Sequence, residues 1–298
     1  MEIDKRKYLK PETIATLANM QLRARMVVEG FIVGLHKSPY HGFSVEFAEH
    51  RAYGPGDDLR HMDWKLYGKT DRFYIKQFEE ETNLKAHLLI DVSKSMSYGS
   101  GSVTKIQYAS FLAAALTYLM LHQQDAVGLT LFDSEIRQHL RPSSRPSTLN
   151  AILSQLEGIV PGPETAVGES LHHLAERINR RGLVIVISDL FDEPEKILSG
   201  LKHFRHDNHE VILFHILDPQ EINFSFDAHT KFFDMESGDM LATEPWHIQK
   251  AYQNAVQKFC DVLKQGAREQ NSDYVQLTTD QPLDLALSSY LNKRRRLH

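Results

Sequence analysis

Ala86-His87-Leu88-Leu89-Ile90-Asp91-Val92-Ser93-Lys94-Ser95 is the stretch on which the reading of this chain turns. An apolar run of strand length ends on a carboxylate, and a short loop rich in hydroxyls follows it. Beyond that loop, residues 105–124 are apolar on nearly every side, the pattern of a helix packed deep against a sheet. Residues 126–132 (AVGLTLF) and 135–140 then predict a strand pair with a tight turn at Asp133-Ser134, followed by helices near 147–158 and 167–180. Two further continuous apolar runs, LVIVI at 183–187 and VILFHIL at 211–217, flank an expected helix at 193–204. Strands apolar on both faces belong to a parallel sheet covered by helices on both sides. A hairpin within 223–241, a helix at 244–269, a strand at 273–277 and a last helix at 282–293 complete the pattern. The expected fold class is α/β, an open doubly wound and mostly parallel sheet spanning residues 85–298.

Upstream the periodicity changes. Residues 11–35 predict a helix with Pro11 near its start and Ile14, Leu17, Met20 and Leu22 on one face. Residues 36–84 are rich in Gly, His, Asp and Arg, and only 72–78 (RFYIKQF) read as a strand. Residues 1–84 are therefore expected to form a helix and an irregular, partly β extension packed on the core domain.

Composition narrows the classes of function. The chain has 298 residues, 42% hydrophobic and 24% charged, with a net charge of −5. That balance is ordinary for a globular protein and lacks the broad basic surface that nucleic-acid binding requires. The run Lys293-Arg294-Arg295-Arg296 reads as a solvated tail. Cys260 is the sole cysteine, so an intrachain disulfide is excluded, and its helical setting fits a small buried hydrophobe. No stretch approaches the ~20 apolar residues that span a bilayer. The opening MEIDKRKYLK has no apolar core of a secretory signal, and a cytoplasmic location is expected.

Open parallel sheets bind ligands beyond the carboxyl ends of their strands. Asp91 closes one apolar run and Asp189 follows Ser188 at the end of another. In an extended loop Asp91, Ser93 and Ser95 alternate toward one spot. Carboxylates, neutral hydroxyls and waters make a reasonable Mg²⁺ shell, which stays electron-poor enough to accept an outside carboxylate. Thr165 stands in the loop Pro161-Gly162-Pro163-Glu164-Thr165, just before a helix. The plainer alternative is that these strand-end oxygens cap the next helix.

The ordered set resembles the von Willebrand factor A (VWA) family, in which a D-x-S-x-S loop, a threonine loop and a strand-end aspartate form a metal-ion-dependent adhesion site (MIDAS). The resemblance implies a divalent ion, Mg²⁺ or else Mn²⁺ or Ca²⁺, touched by Ser93, Ser95 and Thr165, with Asp91 and Asp189 acting through water. The threonine loop departs from the family, because Pro163-Glu164 stands where glycines are usual and Val167 replaces a second threonine.

A longer resemblance begins upstream. Ser38-Pro39-Tyr40-His41-Gly42-Phe43, Glu46-Phe47 and the run Arg51-Ala52-Tyr53-Gly54-Pro55-Gly56-Asp57-Asp58-Leu59-Arg60-His61-Met62-Asp63-Trp64 resemble the signature of the bacterial domain-of-unknown-function-58 (DUF58) family, and the match runs on through Phe78-Glu79-Glu80-Glu81. Members of that family are encoded near MoxR-type AAA+ ATPases, which implies such an ATPase as partner. Gly54-Pro55-Gly56-Asp57 is a turn sequence, and Arg51, Arg60, Asp57, Asp58 and Asp63 suit an ion-paired network that fixes the segment to the core or meets a partner.

Other chemistry finds little support. His172-His173 are adjacent on a helix, and His206 and His209 lack a second ligand pair at zinc spacing. No G-x-x-x-x-G-K-[ST] or G-x-S-x-G motif occurs. The expected function is a non-enzymatic, metal-dependent protein–protein interaction module. The alternative is a metal-dependent phosphohydrolase or nuclease using Asp91 and Asp189, although Ser93 stands where a haloacid-dehalogenase-like phosphatase needs an acid. A metal-free scaffold is a third possibility.

Overall fold

The structure is a computed structural model that describes residues 10–35, 50–52, 67–68, 70–71, 73–76, 84–162, 166–178, 180–226, 230–233, 240–243 and 245–297. Two helices, α1 (Pro11–Ala15) and α2 (Met20–Leu35), precede an antiparallel pair, β1 (His50–Ala52) and β2 (Tyr74–Lys76). The core then runs β3 (Lys85–Asp91), α3 (Lys105–His122), β4 (Ala126–Phe132), β5 (Ile136–Ser143), α4 (Ser147–Glu157), α5 (Val167–Arg177), β6 (Leu183–Ser188), α6 (Pro194–His206) and β7 (Glu210–Leu217). It finishes with α7 (Pro219–Asn223), the hairpin β8 (Thr230–Phe233) and β9 (Met240–Thr243), α8 (Pro245–Glu269), β10 (Asp273–Thr278) and α9 (Asp284–Leu297).

Six strands form one sheet in the order β10-β7-β6-β3-β4-β5, parallel throughout except for the edge strand β5, which pairs antiparallel with β4. The chain starts in the middle at β3 and moves outward in both directions. That creates a topological switch at the carboxyl ends of β3 and β6, where ligands collect in such sheets.

Alternate side chains of each strand serve opposite faces. On one face Leu88, Ile90, Leu129, Ile185, Ile187 and Phe214 pack against α2, α3, α4 and α9. On the other, Leu89, Val184, Val186, Val211 and Leu213 meet α5, α6 and α8. Helix α3 is buried nearly all round because α2 covers the side that faces away from the sheet, with Ala24, Val27, Val28 and Phe31 joining the same core. Thr104 and Gln107 close its start as a reciprocal capping box.

Three expectations need correction. Residues 11–35 form two helices instead of one, since the chain breaks between Ala15 and Met20 and the Arg23 guanidinium donates to the carbonyls of Ala15 and Leu17. The break resets the helical phase, so Leu22 is exposed while the buried face of α2 runs through Met20, Ala24, Val27 and Val28. The basic run near the C-terminus is no free tail: it continues α9, where Lys293 is buried against Glu210 and Asp273 and Arg294 pairs with Asp125. The hairpin starts at Thr230, later than position 223, because Asp218 caps a helical turn over Pro219–Asn223.

Candidate metal centre at the carboxyl edge of the sheet

Asp91 is the last residue of β3, and the loop after it places both serines beside it. The Asp91 Oδ1 accepts from the Ser93 backbone N–H at 2.9 Å, and the Ser93 and Ser95 hydroxyls lie 2.9 Å apart. The Ser188 hydroxyl, at the end of β6, donates to Asp91 Oδ2 at 2.7 Å. Asp91, Ser93 and Asp189 are buried, and Ser95 is half-buried toward the edge. Burial first, and then the charge of Asp189, push the Asp91 carboxyl up to about 7, against the hydrogen bonds from Ser188 and Ser93. Two carboxylates beside paired hydroxyls are donor types that a hard divalent cation takes.

Asp189, at the end of β6, is held from two sides. Its carbonyl accepts from His215 Nε2 at 2.9 Å, and His215 Nδ1 lies 2.6 Å from the Tyr274 hydroxyl. Burial pushes the His215 imidazole down to about 4, so it stays neutral near pH 7, with Nε2–H as donor and Nδ1 as acceptor. The Asp189 carboxylate meets Lys105 Nζ at 2.7 Å, and the same ammonium reaches Glu221 of α7 at 2.6 Å. Burial alone would lower the Lys105 pKa, but the charges of Asp189 and Glu221 more than offset it and the net direction is upward. The ring of Phe191, itself 43% exposed, covers the ammonium at 4.6 Å.

The continuation of the serine loop is tied to α7 as well. Asp218 accepts from the Ser100 N–H at 2.8 Å and from its hydroxyl at 2.5 Å, and the Tyr98 hydroxyl donates to Gln220 at 3.3 Å. Asp133, at the end of β4, binds the Glu135 N–H and Arg137 Nε and so shapes the turn into β5. Gly162 donates to the Val92 carbonyl at 2.7 Å, and a Cβ there would fall 1.8 Å from Asp133 Oδ2. Only glycine lets that loop pass so close.

Four of the five expected ligands, Asp91, Ser93, Ser95 and Asp189, thus lie at the adjoining carboxyl ends of β3 and β6 and in the loop after β3. Thr165 lies outside the described residues. Of the upstream signature, Arg51 lies in β1, whereas Tyr53, Asp57, Asp58, Arg60, Asp63 and Trp64 lie outside the described residues. Lys105, Glu221, Ser188 and His215 escaped the sequence reading, because they converge from four different elements. Asp218 carried a signal: Asp218-Pro219-Gln220-Glu221 after an apolar run is a capping box in sequence.

Among the described residues, no cluster of three or more His, Cys, Asp or Glu side chains could hold a metal by itself. The donors that do gather, two carboxylates and two hydroxyls, fit an ion that keeps several waters, as Mg²⁺ does, and would suit a zinc site poorly. His172 lies against His203 and Ser199, and the buried His209 Nε2–H donates to the Ile178 carbonyl. Cys260 is buried in α8. Among the described residues, no helix is long and apolar enough to cross a membrane.

Known proteins share this architecture. An uncharacterized protein of Mycobacterium tuberculosis, Rv1480, is 26% identical over 231 residues, covering 76% of this chain and 72% of its own length. Among solved structures, BatB from Bacteroides thetaiotaomicron superposes with a TM-score of 0.52 at 17% identity, covering 72% of this chain and 99% of that one. An aerotolerance-related membrane protein from Bacteroides fragilis gives a TM-score of 0.51 at 18% identity, covering 70% of this chain and 99% of that one. At such identities the likeness speaks for the fold alone. The model of the family described as "Protein of unknown function DUF58" matches residues 49–259, more than half of the sequence, and the chain belongs to that family.

Proposed function

We propose that this chain is a non-enzymatic, metal-dependent protein-interaction module. Mg²⁺, or Mn²⁺ or Ca²⁺ in its place, would be held by Ser93, Ser95 and Thr165, with Asp91 and Asp189 behind them through water. The ion would supply a positive charge at the rim, and an Asp or Glu of the partner would complete its shell. The observation that carries this reading is the Ser93–Ser95 hydroxyl pair, 2.9 Å apart, set beside Asp91 at the edge of the sheet. Neutral hydroxyls leave an ion short of negative charge, which favours capture of an acidic group. Exposed Phe191, next to Asp189 and Asp192, adds an apolar contact at the same rim.

Among the described residues, the carboxylates at this edge are each engaged, Asp91 by Ser93 and Ser188, and Asp189 and Glu221 by Lys105. Metal-assisted hydrolysis wants a general base or a second metal near the first, whereas Glu221 is committed to Lys105 and the position two after Asp91 is a serine. The partner we favour is a MoxR-type AAA+ ATPase, on the family resemblance, with both proteins in the cytoplasm.

The test is capture of the ATPase by the immobilised chain in Mg²⁺ and in EDTA. Capture should need the metal and be lost in Asp91→Asn and Ser95→Ala, with melting temperature and circular dichroism little changed. Binding that survives EDTA undiminished would refute the metal dependence. Phosphoester turnover by the purified protein, abolished in Asp91→Asn, would replace the module by an enzyme.

A further inference from the structure

Lys105 is placed where both burial and helix electrostatics oppose it. It is the first residue of α3, immediately after the Thr104 cap, so its charge sits at the positive end of the helix dipole. Its side chain has no exposure at all. Removing an ammonium from water costs several kcal/mol unless close partners compensate. Two do so: Asp189 at 2.7 Å and Glu221 at 2.6 Å, from elements on either side of the loop, with the rings of Phe191 and Tyr98 at 4.6 and 5.9 Å. Helix stability alone gives no reason for a lysine here. Its partner Asp189 gives one, since that carboxylate belongs to the proposed metal shell.

We infer that Lys105 is a built-in counter-ion that sets the metal affinity of this rim, its ammonium competing with the divalent ion for the Asp189 carboxylate. The inference rests on the metal-binding reading above. With the ammonium on Asp189, that carboxylate is already neutralised and holds a divalent ion weakly. Glu221 makes the competition possible, because it offers the ammonium a second acceptor when Asp189 turns toward the ion. The lysine therefore stays charged and buried in either arrangement, and the choice between them is made at Asp189.

The test is calorimetric titration of Mn²⁺ into the full chain, comparing the native sequence with Lys105→Met and with the double variant Lys105→Met/Glu221→Gln. Methionine keeps the volume of the lysine stem. The double variant avoids stranding two buried carboxylates, and it decides the matter if the single variant does not fold. A unit charge a few ångströms from a divalent ion is worth more than one decade of affinity at the effective dielectric of a protein site. Lys105→Met should thus bind Mn²⁺ about ten-fold or more tightly than the native chain, and the double variant, which loses one charge of each sign, more tightly by a smaller factor. Equal or weaker binding in the double variant overturns the counter-ion role while leaving the metal site standing. No Mn²⁺ binding by any of the three proteins overturns both.

Discussion

His87 illustrates what burial does to a single side chain in this sheet. It lies within β3, and burial first, then the positive charges of His209, His139 and Lys85, push its imidazole down to about 4. An unfolded chain takes up that proton near the ordinary value of 6.5, whereas the folded chain holds the ring neutral to a lower pH. The folded pKa is depressed, so the stabilisation is complete above pH ~6.5 and is lost as pH falls toward ~4. His87→Val should flatten this acid-side loss, by up to ~3 kcal/mol over the window. Urea midpoints of both proteins at pH 7 and pH 5 measure it, and an equal fall in the two would contradict the assignment. At this scale the sequence was informative where the candidate ligands are neighbours: Asp91, Ser93 and Ser95 lie within one short stretch. Lys105, Ser188, His215 and Glu221 did not, because each is unremarkable alone and gains its role from a contact across the fold. Asp133 and Asp218 sat in the same strand-then-aspartate pattern as Asp91 and Asp189, and like Asp91 each accepts the N–H two residues on, so that bond does not tell turn formers from candidate ligands.

Helices α5 and α6 cross where each carries a glycine. A Cβ on Gly200 would lie 2.7 Å from the Leu171 Cβ, and one on Gly168 would lie 2.5 Å from the Lys196 Cβ. Gly200→Ala should force the pair apart and cost about 1–3 kcal/mol, as overpacking in a close core does. The cost is read from denaturant midpoints, and an unchanged midpoint would show that the crossing has slack. The consequence extends to the rim, since α5 begins directly after the loop that bears Thr165 and its Gly168 N–H donates to Asp192 at 2.9 Å. Elements of this kind were legible early, because continuous apolar runs leave few options besides parallel strands covered on both faces. Helix breaks were less legible. The division between α1 and α2 depends on Arg23 satisfying carbonyls at the end of α1, and no periodicity reports that.

At the scale of the whole molecule, α9 closes the chain back onto α3 and the start of β4. Tyr290 and Leu287 are buried with α3, while Arg294 meets Asp125, a buried carboxylate at the start of β4, at 2.9 Å. Burial pushes the Asp125 carboxyl up, and the hydrogen bond and charge of Arg294 oppose that. Arg294→Ala would leave this carboxylate with weaker partners, and a loss of roughly 3 kcal/mol is expected from breaking a buried pair on one side. Thermal unfolding with an unchanged midpoint would mean that the tail is dispensable. The sequence hid this clasp, since a basic run near the chain end looks the same whether it is solvated or paired. Above these scaffolding contacts stands the claim that the edge of β3 and β6 is a metal centre. Diffraction from crystals soaked in Mn²⁺, recorded at the manganese absorption edge, addresses it directly. The account predicts an anomalous peak in contact with the Ser93 and Ser95 hydroxyls, absent in Ser95→Ala crystals. A saturated crystal with no peak at that loop, or with manganese only elsewhere, would contradict it.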